Sequence, residues 1–364
     1  MSDAPQTRQE QFSGTKEVTG QFKLDEKRLT DYMQANVEGF QGPIEVRQFK
    51  GGQSNPTYQI ITPNQKYVLR RKPPGKLLPS AHAVDREYKV ISALGTVPGF
   101  PVPRTYALCE DDSVIGTMFY IMEMVEGRVL WDPLLPEQSK EERFKIYDSM
   151  NDTIAKLHMV DYEKVGLGDF GKPGNYFARQ ISRWSKQYVA SETETIEAMN
   201  KLMAWLPENI PADDSTSLVH GDYRIDNVMM HATEPRAVAV LDWELCTLGH
   251  PIADFVYHLM QWTTPRIPTS VGTVFSEADL KSLGIPTLEE YVAIYCKRTG
   301  RANGIDHLDY YMAFCFFRIA GITQGIAGRV RDGTASSDHA KQMAKNARPM
   351  AELGWKHAQL AGAK

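Results

Sequence analysis

The chain has 364 residues, 42% of them hydrophobic and 24% charged, and that length exceeds one comfortable hydrophobic core, predicting two lobes with a cleft between them. The composition excludes a disordered, fibrous or membrane-embedded chain, and a formal net charge of -4 excludes bulk attraction to nucleic acid or anionic lipid. The four cysteines, Cys109, Cys246, Cys296 and Cys315, form no CxxC pair, which points away from a disulfide framework or zinc knuckle and toward a reducing, cytoplasmic setting.

Residues 1–22 are polar and aperiodic, with no signal-peptide apolar stretch, and predict a mobile arm. Helical spacing of Leu24, Leu29, Tyr32, Met33 and Val37 follows, and then strand-like runs over 45–71. TYQIIT and KYVLRR, separated by Pro63-Asn64-Gln65, read as a hairpin. Ahead of it, Gly51-Gly52 and small polar residues form a turn able to bring backbone N–H groups to a phosphate. Residues 82–94 carry a helical stripe with Glu87 on its apolar face. A buried carboxylate needs a cation, and Arg70, Arg71 or Lys72 on the hairpin can supply one; the alternative is a solvated carboxylate. MFYIMEMV (118–125) reads as an apolar strand. Beyond it, residues 137–206 and 277–360 are mainly helical, and residues 310–317 form a buried helix too short to span a membrane.

Residues 217–255, SLVHGDYRIDNVMMHATEPRAVAVLDWELCTLGHPIADF, hold the chemistry. Two short apolar runs are bracketed by Asp222, Asn227 and Asp242. Strand ends of this kind present Asn227 and Asp242 as two oxygen ligands for a hard cation, and magnesium held together with substrate phosphates suits them. Asp222, five residues before Asn227, is spaced to accept a proton from an attacking hydroxyl. His220 is suited to hydrogen-bonding that loop in place.

HGDYRIDN, VLDWE and GHPIADF resemble the signature of the aminoglycoside phosphotransferase and choline kinase superfamily. KGGQSNPTY, YVLRRKPPGK, DREYKVISAL and YIMEMVEG resemble its glycine loop, third strand, helix C and hinge in order. The resemblance is greatest to the kinase-like domains associated with acyl-CoA dehydrogenases. It implies an α+β, bilobal protein-kinase-like fold with a small antiparallel-sheet N-lobe and a larger, mainly helical C-lobe. The expected layout is an arm over 1–22, an N-lobe over 23–122, a hinge over 123–127 and a C-lobe over 128–364.

The same resemblance implies a catalytic base at Asp222 and magnesium ligands at Asn227 and Asp242. Gly52, Ser54 and Asn55 would lie over the phosphates, Arg70 paired with Glu87 would contact them, and backbone groups at Glu123, Met124 and Val125 would read the purine of ATP or GTP. Arg70 stands where protein kinases have lysine. Asp254 would brace the catalytic loop, and Glu244 would stand behind the metal ligands. Arg318 and Arg329 either serve close helix packing or meet an anionic acceptor. The implied acceptor is a small-molecule hydroxyl, on a hydroxyacyl-CoA or hydroxy acid; the alternatives are an aminoglycoside or choline-type substrate, or a nucleotide-binding pseudokinase that regulates a partner. Nucleic acid and membranes are not expected partners.

Overall fold

The computed structural model describes residues 14–50, 55–73, 82–270, 273–335 and 337–364. The chain divides into two compact units. The first comprises Met1–Leu135, Tyr162–Leu167 and Arg224–Cys246, and the second Pro136–Asp161, Gly168–Tyr223 and Thr247–Lys364. Asn227 and Asp242 therefore belong to the N-terminal sheet's unit, whereas Asp222 belongs to the other.

The first unit is built on a six-stranded antiparallel sheet of β1 (Thr15–Lys16), β2 (Glu45–Phe49), β3 (Thr57–Ile61), β4 (Lys66–Arg71), β5 (Thr105–Cys109) and β6 (Phe119–Glu123), ordered β1-β2-β3-β4-β6-β5. The hairpin over TYQIIT and KYVLRR forms as expected, with Thr57 opposite Arg70 and Ile61 opposite Lys66. Side chains alternate across a strand. Tyr58, Ile60, Tyr67 and Leu69 consequently share the face covered by Leu29 and Met33 of α1 (Glu26–Asn36).

Of the arm expected over 1–22, residues 14–22 are described. Thr15 and Lys16 pair with Phe49 and Gln48, and Tyr58 and Arg71 donate to the carbonyls of Phe22 and Gln21 at 2.9 and 3.1 Å. A two-residue edge strand has no hydrophobic period to betray it, and its order comes from backbone pairing and from donors on distant strands. The same unit contains α2 (Val84–Leu94), the short strand β7 (Arg128–Val129), and the hairpin strands β9 (Val228–Met230) and β10 (Ala237–Val240); β7, β9 and β10 form a three-stranded sheet ordered β10-β9-β7.

The second unit is mainly helical. It contains α3 (Lys140–Met159), α4 (Tyr176–Ser191), α5 (Glu197–Glu208), α6 (Pro251–Thr263), α7 (Leu280–Leu283), α8 (Leu288–Arg298), α9 (Leu308–Arg331), α10 (Asp338–Ala344) and α11 (Ala347–Leu360). Strands β8 (Ser217–Val219) and β11 (Thr247–Gly249) pair antiparallel within it. Tyr310 to Phe317 is buried throughout in α9, as the apolar run predicts, and Gly321, Gly325 and Gly328 let that helix approach Trp184, Gln187 and Ser191 of α4. Among the described residues no helix is long and apolar enough to cross a membrane. All four cysteines are buried, and none forms a disulfide.

Candidate active site

In the first unit, strand alternation decides which cation meets Glu87. Arg71 points to the α1 face, where its guanidinium lies 5.6 Å from the Tyr58 ring centroid. Arg70, one residue earlier, points to the opposite face, toward α2. Its Nε lies 2.7 Å from Glu87 Oε2 and its Nη2 donates to Asp242 Oδ1 at 2.8 Å. Glu87, 1% exposed, also accepts from Asn55 Nδ2 at 2.8 Å and from the Tyr120 hydroxyl at 3.1 Å. Burial pushes the Glu87 carboxyl above the ordinary carboxylate range, opposed by Arg70 and by the Tyr120 and Asn55 hydrogen bonds. Burial also works against the charge on Arg70, but Glu87, Tyr120, Asp242 and Glu244 outweigh it and hold the guanidinium above its ordinary value. The guanidinium is therefore held charged and fixed against Glu87, as the stripe with Glu87 at its centre led us to expect.

Asp242 follows β10 and has φ +64°, ψ 62°, a left-handed backbone that asparagine and aspartate tolerate better than other non-glycine residues. A strained conformation of this kind persists where the surroundings impose it. Here a short 3-10 turn over Trp243–Leu245 begins at once, and Trp243 is buried with its Nε1 donating to Val240 O at 2.9 Å. Tryptophan thus anchors the turn after the aspartate. Asn227 closes another 3-10 turn, Ile225–Asn227, and its carbonyl accepts from Leu241 N at 2.8 Å. That bond ties Asn227 and Asp242 to the same end of the β9/β10 hairpin. An amide and a carboxylate are hard oxygen donors, the kind magnesium takes in small number when phosphates supply the rest.

Gly52 and Ser54 lie outside the described residues. Asn55 is fully buried, and its side chain bridges Glu87 and His82, whose Nδ1 lies 3.0 Å from Asn55 Oδ1. Glu123 ends β6 with its backbone N–H already bonded to Arg104 O at 2.8 Å. That donor is therefore spent within the protein.

In the second unit the HGD loop is held from several sides. Gly221 has φ +86°, a turn that glycine adopts without strain. Asp254, buried on α6, accepts from His220 N and Gly221 N, both at 2.8 Å, and its Oδ2 lies 3.2 Å from His158 Nε2. Burial works against this carboxylate, but the His158 and His220 interactions outweigh it and hold Asp254 below its ordinary value. The brace implied for Asp254 is present in geometry. His220 Nδ1 accepts from Asp222 N at 3.2 Å, the backbone role its position suggests. Tyr257 donates from its hydroxyl to Asp222 Oδ1 at 2.6 Å.

Sequence reading passed over Tyr257, Tyr120 and His158. A signal existed for the first, since Asp254, Tyr257 and His258 stand at i, i+3 and i+4 and share one helix face. Nothing in the sequence pairs Tyr120 with Glu87 or His158 with Asp254. Arg318 donates to Gly221 O at 2.8 Å, while Arg329 is exposed near the end of α9.

Residues 45–291 match the phosphotransferase enzyme family. The chain belongs to that family. It is 47% identical over 315 residues to mouse acyl-CoA dehydrogenase family member 10, covering 86% of this chain and 29% of that protein. To chicken acyl-CoA dehydrogenase family member 11 it is 43% identical over 348 residues, covering 94% and 44%. The chain thus spans less than half the length of these curated relatives. A solved protein of Ralstonia eutropha JMP134, provisionally named an aminoglycoside phosphotransferase, is 54% identical with a TM-score of 0.84, covering 93% of this chain and 99% of that one. Choline kinase from Cryptosporidium parvum, 12% identical with a TM-score of 0.62 over 93% and 97% of the two chains, shares the fold. The family member thus has a protein-kinase-like fold, as the motifs implied.

The α6 face carries a pH dependence of its own. Burial pushes the His258 imidazole down to about 4, and burial first, against the pull of Asp213, pushes His250 to about 4 as well. His250 Nδ1 accepts from Ile252 N at 3.2 Å and caps α6, so a proton there removes the cap. Both histidines stay neutral when folded and protonate near 6.5 when unfolded. The unfolded chain therefore binds more protons between these values, and stability is full above about pH 6.5 and lost as pH falls toward 4. Each contributes about 3 kcal/mol over that window at ~1.4 kcal/mol per pH unit. Urea midpoints should fall steeply from pH 6.5 to 4.5, and His258→Gln should make the fall shallower; a flat profile would remove the assignment.

Proposed function

We propose that the phosphotransferase moves the terminal phosphoryl group of ATP or GTP to the hydroxyl of a small molecule, with magnesium as cofactor. The observation that carries this reading is Arg70, held between Glu87 at 2.7 Å and Asp242 at 2.8 Å. A permanently charged guanidinium fixed by a buried carboxylate is preorganised for phosphate oxygens. Asn227 and Asp242 would hold the magnesium, which would supply positive charge to the nucleotide's phosphates. Backbone groups at 123–125 would read the purine.

In the transfer, Asp222 takes the proton as the acceptor O–H bond breaks. The freed oxygen forms the new bond to the terminal phosphorus, and the bond from that phosphorus to the bridging oxygen breaks, leaving ADP or GDP.

For the acceptor we favour an anionic hydroxyacyl-CoA or hydroxy acid. The relatives named as acyl-CoA dehydrogenase family members support a functional link to that chemistry. The name of the Ralstonia protein favours a second reading, an aminoglycoside acceptor. The test is release of ADP or GDP from the magnesium nucleotide with panels of hydroxyacyl-CoAs, hydroxy acids, choline and aminoglycosides. Stimulation by the first two classes supports the proposal. Stimulation by aminoglycosides alone moves the acceptor to the second reading, and magnesium-dependent nucleotide binding with no transfer to any panel replaces the kinase reading by a regulatory binding module.

A further inference from the structure

We propose that Tyr257 and Arg318 together are the positioning residues of the Asp222 carboxylate, an inference that rests on reading Asp222 as the base. The Tyr257 hydroxyl donates to Asp222 Oδ1 at 2.6 Å. Arg318, on α9, lies with its guanidinium carbon 5.3 Å from the centroid of the Tyr257 ring and donates from Nη2 to Gly221 O at 2.8 Å. One arginine thus grips the backbone just ahead of the base and the ring that grips its side chain. Its other electrostatic neighbours are Tyr176 and Cys315, with Asp254 behind them.

This arrangement completes the hold on the loop. Asp254 takes the N–H groups of His220 and Gly221, and Arg318 takes the Gly221 carbonyl. With the peptide planes fixed on both sides, the remaining freedom is rotation of the Asp222 side chain, and Tyr257 removes it by engaging one carboxylate oxygen. A cation over the ring also polarises the phenol and strengthens its O–H as a donor. Fixing a base in the plane where it meets the attacking hydroxyl contributes to the transition state and not to nucleotide binding, so it acts on kcat. Arg318 accordingly serves neither helix packing alone nor the direct capture of an anionic acceptor.

The test uses the full chain and magnesium-ATP with water as the acceptor, so no identified substrate is required, and reads ADP release alongside melting temperature. Tyr257→Phe removes one oxygen and should lower kcat by about tenfold or more, the scale of one positioning contact at a general base, with the KM for magnesium-ATP within about twofold and an unchanged melting temperature. Arg318→Met should show the same split, Arg318→Lys should recover part of the loss, and the double variant Tyr257→Phe/Arg318→Met should fall short of the product of the two single effects. Wild-type kcat in Tyr257→Phe together with loss of turnover in Asp222→Asn overturns this inference and leaves the base in place. Full turnover in Asp222→Asn overturns the reading beneath it, as does a wild-type chain that releases no ADP with water or with any of the acceptor panels. Equal losses in kcat and melting temperature for both Arg318 variants make that residue structural and overturn its part.

Discussion

Asp222→Asn should leave the phosphotransferase folded and able to bind magnesium-ATP, and should lower kcat by on the order of 10²-fold or more. The change removes the capacity to take a proton while keeping the shape of the side chain. Its amide oxygen still accepts from Tyr257, whose hydroxyl lies 2.6 Å from the carboxylate it replaces. The backbone of the loop is held by Asp254 and His220 through main-chain groups, which the substitution does not touch. The nucleotide contacts proposed for Arg70, Asn227 and Asp242 belong to another part of the chain. The loss should therefore appear in kcat and kcat/KM together, with the KM for magnesium-ATP nearly unchanged. Steady-state ADP release beside a thermal-shift titration checks it. Wild-type kcat would remove Asp222 from the reaction, whereas a loss of nucleotide affinity equal to the loss of turnover would make it a binding residue.

What the sequence disclosed was set by how local each signal is. Asp222, Asn227 and Asp242 lie within one 21-residue stretch of alternating apolar and polar runs, so spacing alone places Asn227 and Asp242 at strand ends and Asp222 in the loop ahead of them. Glu87 betrays itself by standing on an apolar helical stripe, and the need for a cation follows from the cost of a buried charge. Which cation it meets is a matter of strand phase: Thr57 opposite Arg70 sends Arg70 to α2 and Arg71 to α1, and a one-residue slip would exchange them. That phase was not legible before the register was known.

Other partnerships span the chain with no local trace. Tyr120 and Glu87 are 33 residues apart, and Arg318 and Gly221 are 97 apart. Arg318 and Arg329 of α9 carry the same sequence signal, yet Arg318 bonds to the Gly221 carbonyl and Arg329 is exposed. The N-terminal edge strand escaped for a different reason, since two residues of backbone pairing leave no periodicity.

Arg70→Met should destabilise the chain by about 3–5 kcal/mol, because it takes away the cation of a carboxyl that is 1% exposed. Tyr120 and Asn55 still donate to that carboxylate but bring no full positive charge. The same substitution releases Asp242, whose Oδ1 loses its 2.8 Å donor, and removes the proposed phosphate contact, so affinity for magnesium-ATP should fall at least tenfold, the scale of one charge-assisted hydrogen bond.

A second substitution separates the two effects. Glu87→Gln in the Arg70→Met background removes the carboxyl left without its cation while keeping an oxygen to accept from Tyr120 or Asn55, and should restore most of the lost stability without restoring nucleotide affinity. Urea denaturation of the two variants beside nucleotide titration reads both quantities on the same samples. Recovery of affinity together with stability would mean that Arg70 serves the fold alone, and the phosphate contact would then have to come from another residue.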